Sequence, residues 1–191
     1  MRVELKLIQE RVGITTLFVT HDQEEALVMS DRIAVMEGGR IHQLDTPSQV
    51  YHRPATGFVA TFIGETNFLE GQVAALEDGI AVVRVHGDRA IRVAAQGRAK
   101  AGRPVALSIR PERIEIAREA PAGAPNVVVG TVEFVTYLGS TASYRVRAWG
   151  DQRLHVTHPL AADRPSFAEG DTVALWWPPD RGLIIPEGAP S

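Results

Sequence analysis

The sequence predicts a mostly β protein, with a duplicated β-barrel-like domain preceded by a shorter α/β segment. Three observations carry this. From Gly71 onward, short apolar runs alternate with Gly, Pro and Asp turns, and helical patterns are few. Within that region a set of anchors repeats in the same order. Before Gly64 the texture differs, with helix-period runs introduced by capping residues.

The first segment is read element by element. Val3, Leu5, Leu7, Ile8 and Val12, with polar residues between, suit a helix from Met1 to Arg11 that stops at Gly13. A chain that starts mid-pattern, with no N-cap, is expected to derive from something longer. Leu17 to Val19 reads as a buried strand. Asp22, with Glu25 three residues on, starts a helix from about Gln23 to Met29 in capping-box fashion. Arg32 to Met36 is a strand, Gly38-Gly39 a hairpin turn, and Arg40 to Leu44 its return. Thr46 followed by Pro47 caps a short helix to about His52, and Thr56 starts another carrying Phe58, Val59, Phe62 and Ile63.

The repeat defines the rest. Gly87-Asp88-Arg89-Ala90-Ile91-Arg92-Val93 returns as Gly150-Asp151-Gln152-Arg153-Leu154-His155-Val156. Gly102 to Leu107, followed by Pro111-Glu112-Arg113, returns as Gly170 to Leu175, followed by Pro179-Asp180-Arg181. Gly71-Gln72-Val73 matches Gly130-Thr131-Val132. Three anchors in one order argue for two copies of a β unit, about 71–117 and 130–185, joined by the loop Pro121 to Pro125. Each copy is too small to be comfortable alone, so the two are expected to pack together. The expected domains are therefore 1–64 and 65–191.

Composition excludes several function classes. The 191 residues carry a net charge of -3 and no cysteine. Disulfides, thiolate nucleophiles and Cys-ligated zinc are ruled out. Neither a basic field nor, at 6% aromatic residues, a stacking platform for single-stranded nucleic acid is present. No apolar run approaches the roughly 18 residues of a membrane span. The chain is expected not to insert in a membrane.

His21 is the leading candidate for chemistry, because it follows an apolar run and precedes a helix, where open α/β sheets place their sites. Arg110 and Arg113 flank Pro111-Glu112 and are candidates for binding an anion. His42, His52, His86, His155 and His158 lack metal-ligand spacing; His155 and His158 lie close in sequence with no third ligand, so no metal site is expected. Asp171 reads as a turn residue. Of Trp176 and Trp177, one ring should face the core.

The stretch Leu17-Phe18-Val19-Thr20-His21-Asp22-Gln23-Glu24-Glu25-Ala26-Leu27, followed by Met29-Ser30-Asp31-Arg32-Ile33-Ala34-Val35-Met36 and the Gly-Gly turn, resembles the switch region of ATP-binding-cassette (ABC) transporter ATPase subunits. The likeness continues through Asp45 to Tyr51 and Phe58 to Gly64. With Asn67 to Gly71 it is most similar to the subfamily that imports polyamines, sugars and related solutes. Ser108-Ile109-Arg110-Pro111-Glu112 and Tyr137-Leu138-Gly139-Ser140 resemble signatures of that subfamily's regulatory TOBE domain, an OB-like barrel. The resemblance implies a TOBE domain behind a truncated α/β remnant of an ABC ATPase domain.

It also implies roles. His21 would contact the γ-phosphate and position the attacking water in a complete, ATP- and Mg-bound dimer. The β domain would hold two subunits together, and transmembrane permease subunits would keep the assembly at the cytoplasmic face of the membrane. The sequence has no Gly-x-x-x-x-Gly-Lys-Ser/Thr loop, no Leu-Ser-Gly-Gly-Gln signature and no apolar strand ending in Asp-Glu. The chain alone is expected to bind no cofactor and to hydrolyse no ATP. Residues before about Thr46 are expected to be reorganised, disordered or paired with another copy. The alternative reading is a β-barrel that senses a small molecule or oxyanion.

Overall fold

The computed structural model describes residues 2–160 and 166–185. It divides into two compact units, Met1–Gly64 and Glu65–Ser191.

The first unit begins with helix α1 (Arg2–Val12), closed by Gly13 at φ +69, whose N–H donates to the Gln9 carbonyl. Helix α2 (Gln23–Met29) is capped by Asp22, whose carboxylate accepts from the Glu25 N–H at 3.0 Å. Strands β1 (Ile33–Glu37) and β2 (Arg40–Asp45) form a hairpin. Its turn needs positive φ at two successive residues, and Gly38 (+56) and Gly39 (+77) supply it. Thr46 and Thr56 cap α3 (Pro47–His52) and α4 (Gly57–Phe62) through hydroxyls that accept from Gln49 and Val59 N–H. Gln43 of β2 ties the loop between these helices, donating to the Arg53 carbonyl and accepting from the Ala55 N–H. Ile33, Val35, Val50, Val59 and Ile63 are the small core.

One expectation is corrected here. Leu17 to Val19 is neither strand nor buried: the segment from Ile14 to Thr20 joins no sheet, and Leu17 is 92% and Val19 88% exposed. An apolar run becomes a buried strand only when another strand satisfies its backbone. The hairpin, by contrast, is organised and packed from Ile33 onward.

The second unit is all β. The first copy supplies β3 (Asn67–Glu77), β4 (Ile80–Val85), β5 (Arg89–Ala94), β6 (Pro104–Ile109), a 3-10 turn at Pro111–Arg113 and β7 (Glu115–Ala117). The second supplies β8 (Val128–Tyr137), β9 (Thr141–Ala148), β10 (Gln152–Pro159), β11 (Thr172–Trp176), a 3-10 turn at Pro179–Arg181 and β12 (Gly182–Ile185). The protein is mostly β, as the sequence predicts.

The two copies exchange their last strands. The sheets run β12-β6-β3-β4-β5 and β10-β9-β8-β11-β7. Strand β7 thus leaves its own copy to pair with β11, and β12 pairs with β6. The exchange lets two small units share one core, in which Leu69, Val83, Ile91 and Leu107 of the first copy join Val132, Val146, Leu154 and Leu175 of the second.

Local detail repeats with the copies. A bulge falls between Val73 and Ala75 and again between Val132 and Phe134. Val73 N–H donates to the Arg103 carbonyl and Gly102 N–H to that of Val73; Val132 does the same with Asp171 and Gly170. Gly71 and Gly130 sit where a Cβ would lie 2.4 Å from the Arg84 carbonyl oxygen and 2.6 Å from that of Arg147.

Candidate functional site

His21 lies in the bend that leads into α2, exposed to solvent. The turn beneath it is built by its neighbours. The Thr20 hydroxyl donates to Glu25 Oε2 at 2.9 Å and accepts from the Asp22 N–H at 3.0 Å, while Asp22 caps the helix. Glu25 therefore reaches back to the threonine hydroxyl, where a capping box would have it reach the N–H of the cap itself. Asp22, Glu24 and Glu25 put negative charge at the positive end of the helix. Among the described residues no hydrogen bond or ion pair holds the His21 ring, which leaves both nitrogens to an incoming group.

A nucleotide needs more than this. The sequence offers no glycine-rich loop for its phosphates, and among the described residues no group of three or more His, Asp or Glu is placed to hold a metal ion.

The two candidate arginines are engaged with backbone. Arg110 is 4% exposed, and its Nη1 donates to the Glu65 carbonyl at 2.9 Å. Arg113 Nη1 donates to the Arg181 carbonyl at 3.4 Å, and Arg181 Nη1 returns the bond to the Arg113 carbonyl at 3.3 Å. Arg181 also meets Glu115 at 2.7 Å. Arg110 thus ties the lead-in to β3 within its own copy, and Arg113 bridges the two copies. Of the remaining histidines, His42 stands 3.5 Å from Glu37 with its ring tilted against Phe58 at 4.8 Å between centroids, and His158 is buried.

Sequence reasoning missed the residues that matter most to the β unit. Asn67 accepts from the His155 N–H at 2.6 Å and donates to the carbonyls of His155 (2.8 Å) and Ile109 (3.1 Å). Asn126 accepts from the Arg92 N–H at 2.8 Å and donates to the carbonyls of Arg92 (2.8 Å) and Trp177 (3.0 Å). His155 and Arg92 are matching positions of β10 and β5, the edge strands. Each asparagine amide thus stands in for a missing neighbouring strand and closes the other copy's edge. A signal was available: Asn67 and Asn126 each precede the anchor glycine, Gly71 or Gly130, by the same interval.

Around Asn67 a further polar set gathers. His155 Nδ1 lies 2.7 Å from Glu65 Oε2, and its Nε2 bonds the Ser143 hydroxyl. The Thr66 and Ser108 hydroxyls meet at 2.7 Å. Serine, histidine and carboxylate here follow the order of an activated nucleophile. Ser143, however, lies mid-strand in β9, flanked on both sides by β8 and β10, so its neighbouring amides serve the ladders and offer no oxyanion hole. The set is structural chemistry, not hydrolytic. Elsewhere an open groove of about 460 Å³ is lined by Phe68, Glu70, His86, Trp149 and Gln152, among others. Trp149 holds φ +49 in its turn, with the Arg89 guanidinium 5.8 Å from its ring centre.

Comparison with known proteins follows the same lines. Residues 107–185 match the TOBE domain family model. The chain is 42% identical over 187 residues, 97% of its length, to the spermidine/putrescine import ATP-binding protein PotA of Thermobifida fusca (strain YX), covering 48% of that protein. It is 46% identical over 186 residues to PotA 1 of Pseudomonas aeruginosa, covering 97% of this chain and 49% of that one. The chain thus spans about half the length of the relatives it matches. Among solved structures, the cytoplasmic molybdate-binding protein ModG, with molybdate bound, aligns over 65% of this chain and 96% of its own at a TM-score of 0.56. At 16% identity that likeness shows the fold alone, an OB-like TOBE arrangement of β-strands.

Proposed function

We propose that this chain, which carries a TOBE domain and is related along almost its whole length to importer ATP-binding subunits, is the carboxy-terminal part of such a subunit in an ABC importer for polyamines. The observation that carries this is continuity. The match to PotA proteins covers 97% of the chain and so takes in both the histidine turn and the duplicated β unit.

Two roles follow. The first 64 residues present His21 on a turn stiffened by Thr20, Asp22 and Glu25, ready to meet a γ-phosphate that other parts of a complete subunit hold with Mg²⁺. An imidazole donates to a phosphate oxygen through one nitrogen. Alone, the chain holds no nucleotide and hydrolyses none.

The β unit serves association between two subunits. The second copy's first hairpin supports this: it is longer than its counterpart, which closes at Asp78-Gly79, and it exposes Phe134, Tyr137 and Leu138. Apolar surface of that kind fits a partner better than water. Permease subunits would place the assembly on the cytoplasmic face of the membrane; no helix among the described residues is long and apolar enough to cross it.

Sedimentation of the purified chain at micromolar concentration tests the association. A dimer that Phe134→Asp converts to a folded monomer is the expected result. A strictly monomeric chain would remove this part of the proposal.

A further inference from the structure

We propose that the outer face of β9 and β10 is a binding site for a dianionic phosphate group, built from Arg145, Arg147 and Arg153 and set by Glu133. Arg147 and Arg153 stand directly opposite each other in the β9–β10 register. Arg145 lies two residues back on the same face of β9, opposite His155. All three arginines are exposed. Glu133 joins the opposed pair: its Oε1 accepts from Arg147 Nε at 2.8 Å and its Oε2 from Arg153 Nε at 2.9 Å. Glu133 is the residue passed over at the bulge between Val132 and Phe134, and a bulge re-aims the side chain it carries.

Each of these two guanidiniums is thus fixed through Nε, with both Nη groups left over. Among the described residues no further hydrogen bond or ion pair engages them, and none engages the Arg145 guanidinium. The ring of His155 is taken up by Ser143 and Glu65. Three guanidiniums and one carboxylate leave two positive charges in one place, on a chain whose net charge is -3. Planar forks held in position match the oxygens of a phosphate, which accept several donors at once, and a dianion balances the set.

Packing does not require these residues. Like charges directly opposite destabilise a sheet, and the first copy builds the same ladder without them. There Arg84 matches Arg147 but faces Ala90, where β10 has Arg153. Val82 takes the place of Arg145, and Ala74, at the matching bulge, takes that of Glu133. The fold is complete with one arginine at these positions. Two further arginines, and the carboxylate that fixes the pair, belong to the second copy alone.

The site does not depend on the importer reading. Titration of the intact 191-residue chain with inorganic phosphate, followed through the arginine Nε–H signals at constant ionic strength, tests it. The Arg147 and Arg153 signals should shift saturably with a half-point at or below about 1 mM, while chloride at matched ionic strength gives no saturation. A parallel arm sediments the chain with phosphatidylcholine vesicles that contain phosphatidic acid, which tells a headgroup phosphate from a free one. Arg147→Lys keeps the charge and loses the fork, and should weaken binding about tenfold or more. Arg147→Gln combined with Arg153→Gln should abolish binding in whichever arm shows it. Arg84→Gln, at the matching position of the first copy, should change nothing. No saturation in either arm, full binding by Arg147→Lys, or binding that the double variant leaves intact (an adventitious ion only) would overturn the proposal.

Discussion

Arg113 and Arg181 hold each other's backbone: each guanidinium donates to the other's carbonyl, at 3.4 and 3.3 Å. The two residues occupy matching places in the copies, each ending the 3-10 turn before the strand that crosses to the other sheet. The bonds are long and contribute little singly. They mark an internal two-fold relation that the asparagines make strong.

Asn67→Ala and Asn126→Ala should destabilise the β unit to a similar degree. Each leaves an edge-strand N–H and two carbonyls without a partner, a loss of about 2–3 kcal/mol on the scale of 1–3 for unsatisfied buried groups. Urea denaturation measures it. A cost below about 0.5 kcal/mol for either one would show that water replaces the amide.

Gly71→Ala and Gly130→Ala test the same relation through sterics. A methyl group at either site meets a backbone carbonyl that cannot swing away. Each substitution should cost about 1–3 kcal/mol, the usual range for overpacking. Gly39→Ala offers a contrast, because its Cβ meets nothing within 4 Å and only its positive φ is strained. Thermal melts of the three variants give the comparison.

Tyr144 should make stability fall at high pH. It is fully buried against Phe167, and burial pushes its phenol above the ordinary 10, with backbone of Phe167 offsetting part of the rise. A phenol whose folded pKa is raised contributes stability that is full below the unfolded value and is lost as pH climbs past it. Among the described residues its hydroxyl has no partner within bonding geometry. Tyr144→Phe should therefore leave neutral-pH stability within about 0.5 kcal/mol and flatten the loss above pH about 10. Denaturant melts from pH 7 to 11 decide it. A variant with undiminished alkaline sensitivity would assign the effect elsewhere.

His21→Ala should leave the melting curve unchanged, because an exposed ring with no bond contributes within about 0.5 kcal/mol to stability. Asp22→Ala, in contrast, should loosen α2 by about 1 kcal/mol through loss of its cap. Circular dichroism and native-state hydrogen exchange over Gln23–Met29 separate the two.

Much of the fold is legible in the sequence, and the division between what is and is not has a physical basis. Asp22, Thr46 and Thr56 announce helices because a cap is a bond to a residue three positions on. Gly38-Gly39 announces a hairpin for the same local reason. Leu17 to Val19 misleads, because an apolar run says nothing of whether a partner strand exists. The strand exchange of β7 and β12 leaves no local mark, since either pairing buries the same residues. Of the candidate site, His21 stands out by its setting, and the environments of Arg110 and Arg113 do not. Their partners, Glu65 and Arg181, lie 45 and 68 residues away along the chain. Glu65, Asn67 and Asn126 look like linker residues until the two sheets bring edge strands beside them.

On the proposed reading, His21 meets a phosphate that other parts of a complete subunit hold, and the chain alone turns over no ATP. ATP turnover by the purified 191-residue chain with Mg²⁺ tests it most directly. No hydrolysis above the uncatalysed background is expected at any ATP concentration. Saturable, Mg²⁺-dependent turnover that His21→Ala abolishes would contradict it.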